Sequence, residues 1–455
     1  MQVVGLKAVE KLAPNSNVFS IRKLMVHLRT PLYLNGYALL LSGFTSAGLG
    51  MIYWLLAAHS YAPATVGLSS AAISAMMLLS GASQLSLNSA LVRFVPRAGR
   101  ATGRLVGYSY LISAMAAAAI GLIFCLGLEH WAPALSPFLV SPMRQQTFVL
   151  AIVIWCIFSL QDSVLTGLRQ TMWVPLENTV VTLVKIVLLL VFARYSRQYG
   201  IFAAWMIPVA LSLLPLNLLI FRRLIPDHVQ ASEDLATRLV PRQIGKYIVA
   251  NYLGSLFFLA STTLLPIIVI NQIGPKANAY FYMPWMIATA LQLIAVNMTT
   301  SFTVEATRDQ MKLRIYCYRV LMQSMRLLIP VVIIILLGAP LILRLFGRDY
   351  ANEGSTLLRL LALSAIPNVI VVLYISIARV RNRVRGIVMV QGALCVLVLS
   401  MSYVLLEIFG ITGVGLAWLA SQTAMAVFLW LTRLRTTFKT GGAAYEQERR
   451  ETLAV

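Results

Sequence analysis

The chain has 455 residues, 59% hydrophobic and only 11% charged, with a formal net charge of +22 and a mean hydropathy of +0.81. A soluble domain carries about 25% charged residues, so the composition excludes a soluble enzyme, a secreted disulfide scaffold and a disordered chain. It predicts an all-α polytopic membrane protein.

In chain order, residues 1–31 are polar or mixed and predict a cytoplasmic N-terminal segment. Twelve apolar segments follow, over 32–58, 64–91, 105–128, 146–168, 174–193, 201–221, 248–270, 280–304, 317–342, 356–378, 387–408 and 412–432. Each is long enough, or nearly so, to cross ~30 Å at 1.5 Å per residue. Pro63, Pro96, Pro133, Pro137, Pro142, Pro241, Pro275, Gly347 and Gly410 punctuate the gaps. Six segments fall in 32–221 and six in 248–432, which predicts two six-helix bundles joined by a charged cytoplasmic linker, 222–247, and followed by a cytoplasmic tail, 433–455. The first apolar run is too long for a signal-peptide core, so no cleavable signal is expected.

The basic residues can be assigned to sides. With the N-terminus inside, the inner segments hold 28 of the 37 Lys and Arg, the outer loops 6 and the spans 3. Cytoplasmic loops retain Lys and Arg because these resist translocation, so both termini are expected in the cytoplasm. The same distribution argues against nucleic acid as a partner, since the basic excess is spread over many loops and forms no single surface. The four cysteines, Cys125, Cys156, Cys317 and Cys395, form no CxxC or Cys/His group, so neither a disulfide framework nor a metal site is expected.

The halves align on each other with a shift of 210–212 residues. Pro63 falls on Pro275, Arg93 on Glu305, Arg169 on Arg379 and Gly200 on Gly410. Six helices per half is an even number, so both halves enter the membrane with the same orientation. A pseudo-twofold axis along the membrane normal is expected, with a central site between the bundles and a rocking motion about it.

Ionisable residues inside a membrane are costly and are functional candidates by default. Lys185 lies in mid-span of the fifth segment, Asp162 near the inner end of the fourth, and Glu177 at the start of the fifth. Glu177 and Lys185 are ~12 Å apart along one helix and ~80° apart around it. The competing reading of this group is an ion pair that neutralises a helix hairpin. Arg326 and Arg359 have snorkelling as their alternative, Arg93 simple anchoring, and Glu305 a solvated interfacial acid. Asn35, Gln84, Asn88, Asn251, Gln292 and Asn297 lie in the repeat-equivalent helices 1, 2, 7 and 8. Buried amides often only join helices, but their placement suggests the lining of a shared polar cavity. No GxxxxGK[ST], HExxH or nucleophile elbow occurs, and no cofactor is expected.

The run WLLAAHSYAPATVGLSSAAISAMMLLSGASQLSLNSALVRFVPR resembles the helix 1–2 hairpin of bacterial oligosaccharide flippases, a family that includes the O-antigen and other polysaccharide flippases. LQDSVLTGLRQTMWVPLEN, AYFYMPWMIATAL and FGRDYANEGSTLLRLLALSAIPNVIVVLYISIARV resemble the same family, and the resemblance covers nearly the whole chain. It implies the multidrug/oligosaccharidyl-lipid/polysaccharide exporter superfamily, two six-helix lobes in a V, and a place in the bacterial inner membrane. It further implies transport of a polyprenyl-pyrophosphate-linked glycan through a cationic cavity, without ATP and with coupling to an ion gradient such as H+ or Na+ or to the membrane potential. Polysaccharide polymerase and glycosyltransferases are the implied partners, beside membrane lipids. Related lipid II flippases carry arginines within helices 1, 2 and 8, where this chain has no mid-span basic residue. A cationic cavity here is therefore expected to use Lys185, Arg326, Arg93 and Arg29, with Asp162, Glu177 and Glu305 as coupling candidates. Alternatives are a multidrug or small-cation exporter on the same fold, which needs an acid-dominated cavity, and a membrane polysaccharide polymerase, which needs a long outer loop.

Overall fold

The computed structural model describes residues 47–196, 198–231, 241–308, 313–381 and 383–434, all of them helices or short connections. In chain order the long helices are α1 (described over 47–60), α2 (Pro63–Ser83), α3 (Leu87–Phe94), α4 (Thr102–Leu126), α5 (Pro142–Gly167), α6 (Trp173–Tyr195) and α7 (Gly200–Leu219). They continue with α8 (Pro241–Ile273), α9 (Pro275–Arg308), α10 (Leu313–Arg344), α11 (Arg348–Val380), α12 (Val384–Phe409) and α13 (Ile411–Leu429). Among the described residues, ten helical stretches are long and apolar enough to cross a membrane. With α1 and the 34-residue α9, this is the architecture of a multi-pass membrane protein of about twelve spans.

Two expected elements differ. The second apolar segment is not one helix: it breaks at Gln84, Leu85 and Ser86, and the last two take left-handed φ of 49° and 58°. The local sequence SGASQLSLNS explains the break. Short hydroxyl and amide side chains compete for backbone groups there; Ser83 Oγ donates to Leu79 O at 2.6 Å. The expected linker 222–247 is also shorter, because α7 runs on through a π turn, Ile220–Leu224, and a further helix, Ile225–Ala231, while α8 already begins at Pro241.

The packing follows from the bilayer as solvent. Large apolar side chains such as Leu122, Leu337 and Leu341 stay exposed on outer faces. The buried face of α2 is built of small residues, among them Gly67, Ser69, Ser70, Ala71, Ala72, Ser74 and Ala75. Close helix approach through small residues is the usual source of cohesion where lipid removes the hydrophobic drive.

α2 carries the contact between the two halves. At the end of the molecule that holds Pro63 and Pro275, a Cβ added to Gly67 would sit 1.7 Å from Pro275 O, so only glycine lets these helices meet. Asn278 Nδ2 donates to Gly67 O (2.7 Å) and to Ser70 Oγ (3.2 Å). Asn271 Nδ2 donates to Trp131 O (3.1 Å), and Ala134 N donates to Asn271 Oδ1 (3.2 Å). Trp54 of α1 packs on Tyr282 of α9 at 4.7 Å between ring centroids. The halves are thus sealed at this end.

Candidate functional site

Toward the opposite, arginine-rich end the halves part around a cavity of about 410 Å3. Its walls come from α2, α3 and the break between them (Gln84, Ser86, Asn88), α5 (Trp155, Ser159), α8 (Tyr252, Ser255, Thr263), α11 (Arg379) and α12 (Gln391). The strained break in α2 therefore faces it. In an uninterrupted helix Gln84 and Asn88, four residues apart, would share a face and Ser86 would point away; with the left-handed break all three line one wall. Tyr252 OH donates to Ala82 O at 3.0 Å and joins the halves along one side.

A second cavity of about 270 Å3 lies at mid-depth inside the second bundle, between α8, α9, α11, α12 and α13. Phe258, Arg379 and Gln391 line both, so the second space adjoins the first. Among the described residues neither cavity is lined by a carboxylate; Arg379 is the charged group common to both, and the remaining polar lining is amide and hydroxyl.

The sequence-expected residues fall in several places. Gln84 and Asn88 line the first cavity and Gln292 the second. Arg29 and Asn35 lie outside the described residues, as do the side chains of Asn251, Asn297 and Glu305. Three of the expected cationic residues do not reach either cavity. Arg326 is exposed on α10, where a long side chain can reach the interface. Arg93 is exposed at the end of α3, its guanidinium 5.8 Å from the Phe94 ring. Lys185 is 6% exposed on a buried stripe of α6 that also holds Glu177, Val181 and Leu189.

Lys185 meets aromatic faces instead of an acid. Its Nζ lies 4.1 Å from the centroid of Trp205 and 5.2 Å from that of Trp155. No carboxylate among the described residues comes within ion-pair distance of it, so the competing reading, a hairpin ion pair with Asp162 or Glu177, is not what the structure shows. A desolvated cation over indole faces is held by the ring quadrupole, at ~2 kcal/mol or more.

The two acids form a separate group between α4, α5 and α6. Asp162 Oδ2 accepts from Asn178 Nδ2 at 3.5 Å. Asp162, Glu177 and Tyr110 lie within electrostatic reach of one another. Asp162 Oδ1, both Glu177 carboxylate oxygens and the Tyr110 hydroxyl are buried without a hydrogen-bond partner among the described residues. Ser212 of α7 stands beside Glu177, but its hydroxyl donates to Val209 O at 2.9 Å.

No family model and no curated protein matches the chain, but solved structures do. A multidrug resistance MATE family transporter of the MOP superfamily, in its inward-facing conformation, superposes with a TM-score of 0.64 at 16% identity over 89% of this chain and 95% of that one. The lipid II flippase MurJ, inward closed, superposes with a TM-score of 0.63 at 12% identity over 88% and 89%. A MOP superfamily transporter from Pyrococcus furiosus, described as having a binding pocket of reverse polarity, gives 0.61 at 14% identity over 90% and 95%. The fold is that of the MOP-superfamily transporters.

On this MOP fold, the residues that sequence reasoning passed over are Trp155, Tyr252, Arg379, Gln391, Trp418 and Gln422. Arg379 had the look of one more inner-loop arginine in a run with Arg381, Arg383 and Arg385. Its alignment on Arg169 in the internal repeat was the one signal that set it apart.

Proposed function

We propose that this chain is a transporter of the bacterial inner membrane that carries a polyprenyl-pyrophosphate-linked oligosaccharide outward by alternating access. The observation that carries the reading is the charge inventory of the cavities: a guanidinium, amides and hydroxyls, with no carboxylate among the described lining residues. A pyrophosphate entering a low-dielectric space needs cations and donors, and Arg379 supplies the planar, bidentate fork suited to it. The amides and hydroxyls suit the glycan. An exporter of cationic drugs needs the reverse lining; here the membrane-embedded acids Asp162 and Glu177 lie between helices of the first bundle, away from both cavities.

In this reading the arginine-rich end is cytoplasmic, so the cavity receives substrate from the side where lipid-linked glycans are assembled. The sealed Pro63–Pro275 end is the outer gate. Lys185, one indole behind the cavity wall at Trp155, adds positive potential to that wall. Asp162 and Glu177 take up the coupling proton or cation.

The test is reconstitution in vesicles with a fluorescent, short-chain polyprenyl-pyrophosphate glycan, scored by accessibility of its sugar to an external oxidase. Arg379→Gln is expected to lower flipping at least tenfold, the scale of one charge-assisted hydrogen bond, while Arg326→Gln leaves it unchanged. Equal flipping by wild type and Arg379→Gln, or transport of organic cations in place of the lipid, would sink the reading.

A further inference from the structure

The cavity inside the second bundle holds three buried polar atoms that no hydrogen bond satisfies among the described residues: Gln292 Nε2, Trp418 Nε1 and Gln422 Oε1. They come from two different helices, α9 and α13. Gln422 is 5% exposed and Trp418 2%. Buried polar groups are nearly always paired, and these three unpaired ones sit on residues that line one space, which suits that space to a polar ligand. Asn368 and Gln391 add two more amides to the same lining.

The lining selects the ligand's chemistry. A metal or ammonium cation would meet no carboxylate among the described residues, and would meet Arg379 at the junction with the first cavity. An anion would meet the amide and indole donors but also the Gln422 carbonyl oxygen. An apolar chain would leave all three polar atoms unpaired. A neutral polyhydroxyl ring can satisfy every one once these side chains turn to meet it, since each hydroxyl both donates and accepts: it would accept from Gln292 Nε2 and Trp418 Nε1 and donate to Gln422 Oε1. The indole makes an edge contact with Trp285 at 4.8 Å between centroids.

We infer that this cavity is a subsite for a neutral sugar ring, entered past Arg379 and Gln391 from the space between the halves. It deepens the flippase reading and rests on it for its role: the ring nearest the pyrophosphate would enter the second bundle while the pyrophosphate stays at Arg379. About 270 Å3 lies just below the usual range of ~300–1,000 Å3 for small-ligand pockets, which fits one ring and not a chain of several.

The experiment uses the purified full chain in nanodiscs and free monosaccharides, a panel of neutral hexoses and N-acetylhexosamines, observed by saturation-transfer NMR. The proposal expects binding of at least one by the wild type, and about tenfold weaker binding by Gln422→Leu and by Gln292→Leu, the scale of one lost hydrogen bond. Trp418→Phe, which keeps the ring and loses the donor, should behave the same. Unfolding temperatures within a few degrees of the wild type show that the variants fold. Absence of binding by the wild type, or binding unaffected by all three changes, overturns the subsite and leaves the cavity to water. The arms separate this from the flippase reading. Sugar binding lost in the variants, with no flipping of the lipid-linked probe by the wild type, keeps the subsite and removes the flippase. Flipping without sugar binding does the opposite.

Discussion

Asn278 Nδ2 donates to Gly67 O at 2.7 Å. Beside it is Ala279, the repeat mate of Gly67 at the same shift of 212 that carries Pro63 onto Pro275; the Ala279 backbone N lies 2.9 Å from where a Cβ on Gly67 would stand. A residue that touches its own repeat mate sits at the pseudo-twofold axis, as in a self-complementary dimer contact. In the proposed transport cycle this seal is therefore centred on the axis about which the bundles would rock, and small changes there would act on the whole gating equilibrium.

Asn278→Ala removes two hydrogen bonds at this point, to Gly67 O and Ser70 Oγ. A net loss of about 1–2 kcal/mol shifts the balance between sealed and open outer gates five- to thirtyfold. Spin labels at the exposed positions Ala62 and Lys276 should show a longer-distance population that grows in the variant. Gly67→Val goes further: the Cβ cannot coexist with Pro275 O, so the seal cannot form and transport should fall below detection. A distance distribution unchanged by Asn278→Ala would show that the contact does not hold the gate.

Lys185 is held by Trp205 and Trp155, and Trp155 also lines the inter-bundle cavity. Replacing a buried charge by an apolar side chain of similar shape is often neutral or stabilising, by about 1–4 kcal/mol. Lys185→Met is accordingly expected to unfold at the same temperature or higher. Its flipping rate should drop at least tenfold, because the wall loses its positive potential. Lys185→Arg, too wide for the cage, should lose stability as well as activity. Full flipping by a well-folded Lys185→Met would reduce the lysine to packing.

The span pattern was legible in the sequence because a helix in lipid must be apolar along its length, and because Pro63, Pro275 and Gly200 stand at helix starts. The break at Gln84–Ser86 was hidden in an apolar average, although its Ser and Asn content carried the signal. The cavities were not legible. When a helix is apolar nearly all round, as α12 and α13 are, no periodicity says which face turns inward, and Gln391 and Gln422 read like any packing amide. Lys185 stood out in the sequence as a charge in mid-span, but its partners Trp155 and Trp205 lie on other helices, and scattered aromatics read as packing. Asp162 and Glu177 were found by charge alone; that they share one group with Tyr110 depends on how α4 lies against α5 and α6.

The proposed sidedness rests on the distribution of arginines. In a chain freed of its four cysteines, a cysteine at Ala62, Pro137 or Lys276 should react with an impermeant maleimide added outside intact cells. One at the exposed Arg100, beside Gly99, or at Ser232 or Asn382 should react only after permeabilisation. Reversed labelling at any two of these positions would invert the direction assigned to transport.

Coupling is predicted at Asp162 and Glu177. Two carboxylates in one dry site are not both charged without a proton or a cation between them. Here they have few donors: Asn178 reaches Asp162 Oδ2 at 3.5 Å, and Glu177 is left with both oxygens unpaired among the described residues. The group also spans three helices of one bundle, so binding a cation or proton would draw α4, α5 and α6 together, and releasing it would let them part. A link of that kind between ion and bundle shape typically carries ~1–3 kcal/mol, or 5–150-fold in affinity or population. Vesicles with an imposed proton or sodium gradient should therefore show gradient-stimulated flipping by the wild type. Asp162→Asn and Glu177→Gln should each flatten that response while leaving slow, gradient-independent exchange of the lipid. The sensitive ion is identified by which gradient stimulates the wild type. If both variants keep the full response, the coupling group lies elsewhere, and Glu305, at the inner end of α9, is the acid to change next.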